Sequence, residues 1–342
     1  MAVREALAQI VEGRHLIREE AYAALCEIMS GGATDSQIAG LLIGLRMKGE
    51  TPAEIAGFAR AMRDHAVRVT TSRSPVVDTC GTGGDALETF NISTAAAFVA
   101  AGAGVAIAKH GNRAVSSHCG SADVLLALGV RLDLSADQVG RCLDQTGVGF
   151  LFAPSLHPAM KHAMGPRREL GLRTVFNLLG PLTNPAGASR QLIGVFDEAW
   201  VEPVCEALAE LGAEHVLVVH GQPGLDEIST LGPTTVCELR GGTLRTWIVS
   251  PEELGLATAC PEDLAGGDPQ QSAAILTAVL EGERGPRRDI VVLNAAGALV
   301  AADRADNLGE GLELAYQVID SGAARERLEA LRSVSCELAS EG

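Results

Sequence analysis

The sequence predicts an α/β protein: a large domain with a mostly parallel central sheet covered by helices, plus a smaller all-α domain that is discontinuous in sequence. Three observations carry this. The first seventy residues show only helical periodicity. From Ser74-Pro75 onward, short apolar β-type runs alternate with helical ones. Finally, each polar, glycine-rich cluster follows directly on an apolar strand, which is where open α/β sheets bind their ligands.

The elements follow in order. Ile17, Ala21, Leu25 and Ile28 recur at helical spacing until Gly31-Gly32 stops the segment. Ile38, Leu41, Leu42 and Leu45 form a second stripe. Thr51-Pro52-Ala53-Glu54 is a capping box with proline at the first helical position, and Ile55, Phe58 and Met62 continue one face. The apolar runs beyond Pro75 are Val76-Val77, Ala95–Ala100, Val105–Ala108, Val124–Leu128, Phe150–Phe152, Val201–Leu211, Val216–Val219 and Ile290–Leu293. Between Pro166 and Pro185 the pattern turns helical again, broken at Gly180-Pro181, and is assigned back to the helical unit. The expected division is therefore residues 1–72 plus about 163–190 for the small domain, and 73–162 plus 191–342 for the large one.

Charge narrows the function. The chain has 342 residues, with 27 Lys and Arg against 43 Asp and Glu, a formal charge of −16. Nucleic acids and anionic membranes select basic surfaces, so both are disfavoured as partners. Aromatics make up only 3%, too few for base-stacking platforms. An anion must instead be held by backbone amides, a few placed cations, or a metal bound by the chain's own carboxylates. The eight cysteines are scattered without a C-x-x-C pair, which argues against a zinc ribbon or a disulfide framework. No signal-peptide pattern opens the chain and no long uncharged apolar stretch interrupts it, so the expectation is a cytoplasmic protein without a membrane partner.

Five clusters carry the chemistry. Asp78–Asp85 places three glycines in four positions, letting backbone amides approach a ligand. Gly81-x-Gly83-x-x-Ala86 imitates a dinucleotide fingerprint, but no Asp or Glu lies between Glu88 and Asp123 to hold a ribose, so that reading fails. Thr89–Thr94 leads into an alanine run, as at a helix N-terminus that favours anions; taken alone it is also an ordinary cap. Lys109–Ser117 with Gly120–Asp123 gathers Lys, Arg and hydroxyls around glycines, an oxyanion site. Asp226 and Glu227, past the third strand, offer the hard oxygen ligands that Mg²⁺ takes. Arg167-Arg168, ahead of Asn177–Pro185, either solvates a helix or forks onto a carboxylate.

Asp78–Asp85, Asn91–Thr94, Lys109–Asn112, Gly120–Asp123, Arg167–Gly171, Asn177–Pro185 and Gly224–Glu227, in this order, resemble the anthranilate phosphoribosyltransferase family. The likeness runs nearly end to end, from Lys48-Gly49-Glu50-Thr51 to Asn294-Ala295-Ala296. It implies transfer of a phosphoribosyl group from phosphoribosyl pyrophosphate to the amine of anthranilate, in tryptophan biosynthesis, by a homodimer joined through its small helical domains and using Mg²⁺. It sets phosphoribosyl pyrophosphate against Gly81, Gly84, Asp85, Thr89, Asn91, Ser93, Thr94, Lys109, Asn112, Ser116, Ser117 and Ser121. It sets anthranilate at Gly81, Asn112 and Arg167, and metal at Ser93, Asp226 and Glu227. No single acid–base residue is expected to dominate, because the aromatic amine is already neutral; Lys109 and the metal stabilise charge.

The chain departs from the family pattern at Cys119, Leu126, Pro166 and Pro223, and Pro166 is expected to shift the start of the helix that aims Arg167. Two alternatives stay open. A pyrimidine nucleoside phosphorylase shares the two-domain plan but has a different glycine-rich motif. A non-catalytic nucleic-acid binder on the same scaffold would need a basic groove.

Overall fold

The computed structural model describes residues 2–84, 87–114 and 118–341. Four helices open the chain: α1 (Ala2–Val11), α2 (Arg18–Met29), α3 (Asp35–Lys48) and α4 (Pro52–Asp64). Glu54 holds their loops together. Its buried carboxylate accepts from Leu16 N (2.8 Å), Thr51 N (2.8 Å) and Lys48 Nζ (2.9 Å), so the capping box of α4 also fastens the α1–α2 and α3–α4 turns.

The large unit then runs β1 (Val76–Thr79), α5 (Ile92–Gly102), β2 (Ala106–Gly111), α6 (Ser121–Ala127), α7 (Ala136–Thr146) and β3 (Val148–Phe152). Three helices follow, α8 (Ala153–Leu156), α9 (Lys161–Leu170) and α10 (Phe176–Leu179), before β4 (Arg190–Gly194), α11 (Val201–Glu210) and β5 (His215–Gly221). The chain ends with β6 (Thr234–Arg240), β7 (Thr243–Val249) and helices α12 (Pro269–Leu280), α13 (Pro286–Ala301), α14 (Leu308–Asp320) and α15 (Ala323–Ala339).

The sheet order is β3-β2-β1-β4-β5-β6-β7. Five strands are parallel, and β6 and β7 add an antiparallel hairpin at one edge. The chain winds outward from β1 through β2 to β3, then returns to β4 on the other side. The switch point therefore lies between β1 and β4, where a crevice opens at the strand ends. Both faces are covered. The alanine-rich α5 is buried beneath α13 and α15 on one side, while α11 and α4 close the other. The apolar run Ile290–Leu293 is a turn of the buried helix α13.

Helix α9 packs on α3 and α2, and α10 on α4. Residues 180–184 join this helical layer to the sheet. Arg63 Nε donates to Leu182 O (2.7 Å), Gln191 Nε2 to Pro181 O (2.8 Å), and Asn184 Nδ2 to both Asp78 Oδ2 (2.7 Å) and Ala108 O (2.8 Å). Pro166 corrects one expectation. It is buried inside α9, which begins five residues earlier at Lys161, so it removes a backbone donor from the helix interior and does not set the helix start.

Candidate active site

Three strand ends converge at the switch point. Past β5, Asp226 reaches across to the glycine-rich loop, where Oδ2 accepts from Gly83 N (2.7 Å). The approach is so close that a Cβ at Gly81 would collide with the Asp226 carboxylate, and one at Gly194 with the Asp226 backbone. Thr82 N bonds Gly194 O (2.9 Å) and Thr82 Oγ1 accepts from Phe196 N (3.0 Å), so the loop is sewn to the end of β4. Burial pushes the Asp226 carboxyl upward, against the Gly83 amide, Lys109 and His220.

Glu227 lies beside it. Its Oε1 accepts from Ser93 N (3.0 Å), in the first turn of α5, where the helix dipole favours a carboxylate. Lys109, at the end of β2, is buried. Its ammonium donates to Thr79 O and to Ser93 Oγ (3.2 Å), which ties the ends of β1 and β2 to the start of α5. Its charge is thus fixed beneath the loops. Thr79 Oγ1 donates to Ser93 O (3.3 Å) and completes the knot.

The other described positions make contacts of their own, and those described for Thr89 and Arg167 are with residues outside this centre. Asn91 Nδ2 donates to Cys119 O (3.1 Å), so Cys119 contributes through its backbone, whatever its side chain. The oxygens Asn91 Oδ1 and Thr94 Oγ1 are buried without a hydrogen-bond partner among the described residues. Asn112 O accepts from Ala122 N (3.1 Å) and Ser121 Oγ (3.3 Å). Asp123, within the cluster read as an oxyanion site, accepts from Ala114 N (2.9 Å) and Gly120 N (3.0 Å); it fastens the loop by consuming two of its amides. Thr89 forms an isolated bridge with Ala265, and Gly84 O accepts from Arg173. Arg167 rests on the Phe176 ring, 4.8 Å from its centroid. Asp85, Ser116 and Ser117 lie outside the described residues.

Two residues belong to the site beyond those read from the sequence clusters. Asn294, on α13, accepts from Ile228 N (2.8 Å) and donates to Ile228 O (2.9 Å), so one amide side chain clamps the residue after Glu227. Arg173 lies over the Phe196 ring at 4.4 Å and bonds the Gly84 carbonyl. Asn294 stands far from the clusters along the chain, in the motif near its end, and Arg173 lies in the gap between Gly171 and Asn177.

A mostly parallel sheet with a helical unit and a crevice of glycine amides and carboxylates is the two-domain plan of the glycosyl transferase family. Residues 73–325 match the glycosyl transferase family a/b domain, and residues 4–66 its helical bundle domain. The anthranilate phosphoribosyltransferase of Symbiobacterium thermophilum is 57% identical over 335 residues, covering 98% of each chain. The crystal structure of the Thermus thermophilus enzyme has a TM-score of 0.92 at 47% identity, covering 98% of this chain and 99% of that one. The Saccharomyces cerevisiae enzyme in complex with phosphoribosyl pyrophosphate and Mg has a TM-score of 0.89 at 29% identity, covering 98% of both. The chain belongs to the anthranilate phosphoribosyltransferase family.

Proposed function

We infer that this chain performs the reaction of its family, transferring the phosphoribosyl group of phosphoribosyl pyrophosphate to the amine of anthranilate and releasing pyrophosphate, a step of tryptophan biosynthesis. The carrying observation is the convergence of Gly83, Ser93, Lys109, Asp226 and Glu227 at one switch point.

Breaking the bond between ribose C1 and pyrophosphate separates charge, and fixed donors and charges favour that separation without reorganising. Gly81 and Gly84 of the glycine-rich loop and Ser93 at the start of α5 are proposed to receive the pyrophosphate, together with Thr89, Asn91, Thr94, Asn112 and Ser121. Asp85, Ser116 and Ser117 are proposed for the same role from the sequence. Thr94 Oγ1 and Asn91 Oδ1, without a hydrogen-bond partner among the described residues, fit a cradle completed by ligand. Anthranilate is proposed at Gly81, Asn112 and Arg167, the guanidinium pairing its carboxylate.

Mg²⁺ suits Asp226, Glu227 and Ser93, an all-oxygen donor set from two adjoining elements. When bound, it would neutralise charge on the pyrophosphate oxygens. Lys109 cannot swing out to the substrate without abandoning Thr79 and Ser93, so its role is a fixed positive potential that holds the strand ends in register.

The division into 1–72 plus about 163–190 and the remainder is supported by the packing of α9 and α10 on the first helices. A homodimer through the helical unit is supported by Val11, Ile17 and Met47, which are exposed at 80%, 60% and 84%. A reducing, cytoplasmic setting is supported by eight free cysteines.

Incubation with anthranilate, phosphoribosyl pyrophosphate and Mg²⁺ should quench anthranilate fluorescence only when all three are present. Stable fluorescence alongside phosphorolysis of thymidine or uridine would overturn the reading.

A further inference from the structure

Behind the glycine-rich loop, and outside the oxygen-rich set around Asp226, lies a second cluster of metal-ligating groups. Cys80 Sγ, a carboxylate oxygen of Asp78 and a ring nitrogen of His110 all lie within 4.8 Å of one another. The ring of His110 is prepared for a metal. Nδ1 faces Gly180 O at 3.1 Å, and a carbonyl only accepts, so Nδ1 carries the proton and Nε2 the lone pair. That Nε2 is buried and has no hydrogen-bond partner among the described residues, while His110 as a whole is only 4% exposed. A histidine oriented by a backbone carbonyl on its other nitrogen is the usual support for a metal ligand. Asp78 is oriented as well, with Oδ1 accepting from His110 N (3.0 Å) and Oδ2 from Asn184. Each carboxylate oxygen keeps a second lone pair.

We infer that Asp78, Cys80 and His110 form a binding site for a soft divalent cation such as Zn²⁺, distinct from the hard-oxygen set of Ser93, Asp226 and Glu227. Sulfur and imidazole select such ions over Mg²⁺. Bonds of about 2.0–2.3 Å in a tetrahedral site put ligand atoms roughly 3.4–3.8 Å apart, so the three close by about 1 Å on the ion. The Cys80 thiol is buried at the root of the glycine-rich loop, where it donates only a long bond to Gly81 O (3.6 Å) that a metal would replace. Burial first, and then the charges of Asp78, Asp226 and Glu227 against that of Lys109, push the Cys80 thiol up, and the same negative charges favour a cation. A bound ion deprotonates the thiol outright and takes its place as counter-charge. Because Cys80 adjoins Gly81, an ion here stiffens the base of the glycine-rich loop. The site does not depend on which substrate the loop receives.

Cadmium makes the thiolate visible. In a Cys260→Ser, Cys336→Ser background, which removes the two exposed thiols, titration of the full chain with Cd²⁺ should develop a sulfur-to-cadmium ultraviolet charge-transfer band saturating at one equivalent. Zn²⁺ should displace it. Cys80→Ser should abolish the band, and Asp78→Asn should weaken Cd²⁺ binding at least about tenfold. Absence of the band in the parent chain overturns the proposal. So does a band of undiminished size in Cys80→Ser or Cys80→Ala chains whose circular dichroism matches the parent.

Discussion

The crevice has two sides held by different forces. On one, Asp226 and Glu227 are bonded to Gly83 N and Ser93 N, and Asn294 grips the next residue by its amide and carbonyl. On the other, Arg113 rests over Phe152 at 6.0 Å and Arg167 over Phe176 at 4.8 Å, each held by a ring face, while Arg173, over Phe196 at 4.4 Å, is also bonded to Gly84 O. Hydrogen bonds fix direction, whereas a ring face holds a guanidinium without dictating where its fork points. The anionic side is therefore built in advance, and the cationic side can turn toward whichever carboxylate or phosphate arrives. A metal needs fixed donors; a substrate that must enter and leave does not.

Breaking the rigid side should cost most. Glu227→Gln keeps size but loses charge, and kcat/KM is expected to fall more than about a hundredfold; a loss smaller than that of Arg167→Ala would reverse the comparison. Asn294→Ala leaves both carboxylates in place but frees their support. Mn²⁺ affinity, read by electron paramagnetic resonance, should fall about 10–100-fold, and unchanged affinity would remove Asn294 from the positioning role. On the adaptable side, Arg167→Ala should raise the KM for anthranilate about 10–100-fold, the worth of a charged hydrogen bond, and leave that for phosphoribosyl pyrophosphate nearly constant. Equal losses for both substrates would break its assignment. The smallest effect belongs to Phe196→Leu, which removes only the seat of Arg173 and should change steady-state constants about two- to fivefold.

Much of this was legible in the sequence because it rests on short-range patterns. The capping box at Thr51–Glu54, the alanine run of α5 and the clusters following β1, β2 and β5 stand where periodicity puts them. What periodicity could not supply was partnership. Strand β4 begins with Arg190 and Gln191, and β7 is exposed along most of its length, so neither shows an uninterrupted apolar run. Asp123 looks like part of an anion site until its two amide donors are seen. Arg173 is one arginine among many until the fold brings Gly84 and Phe196 to it. The sequence places Lys109 at the phosphates as a stabilising charge, and the structure adds what periodicity could not: its ammonium is buried and bonded to Thr79 O and Ser93 Oγ.

The segment 180–184 couples the two units mechanically. Arg63 pulls on Leu182, Asn184 on Asp78, and Asp78 stands two residues before Cys80 and three before Gly81. Any tilt of the bundle that kept these bonds would tug on the root of the loop, so the helical layer has the connections of a lever whose short arm ends at the crevice.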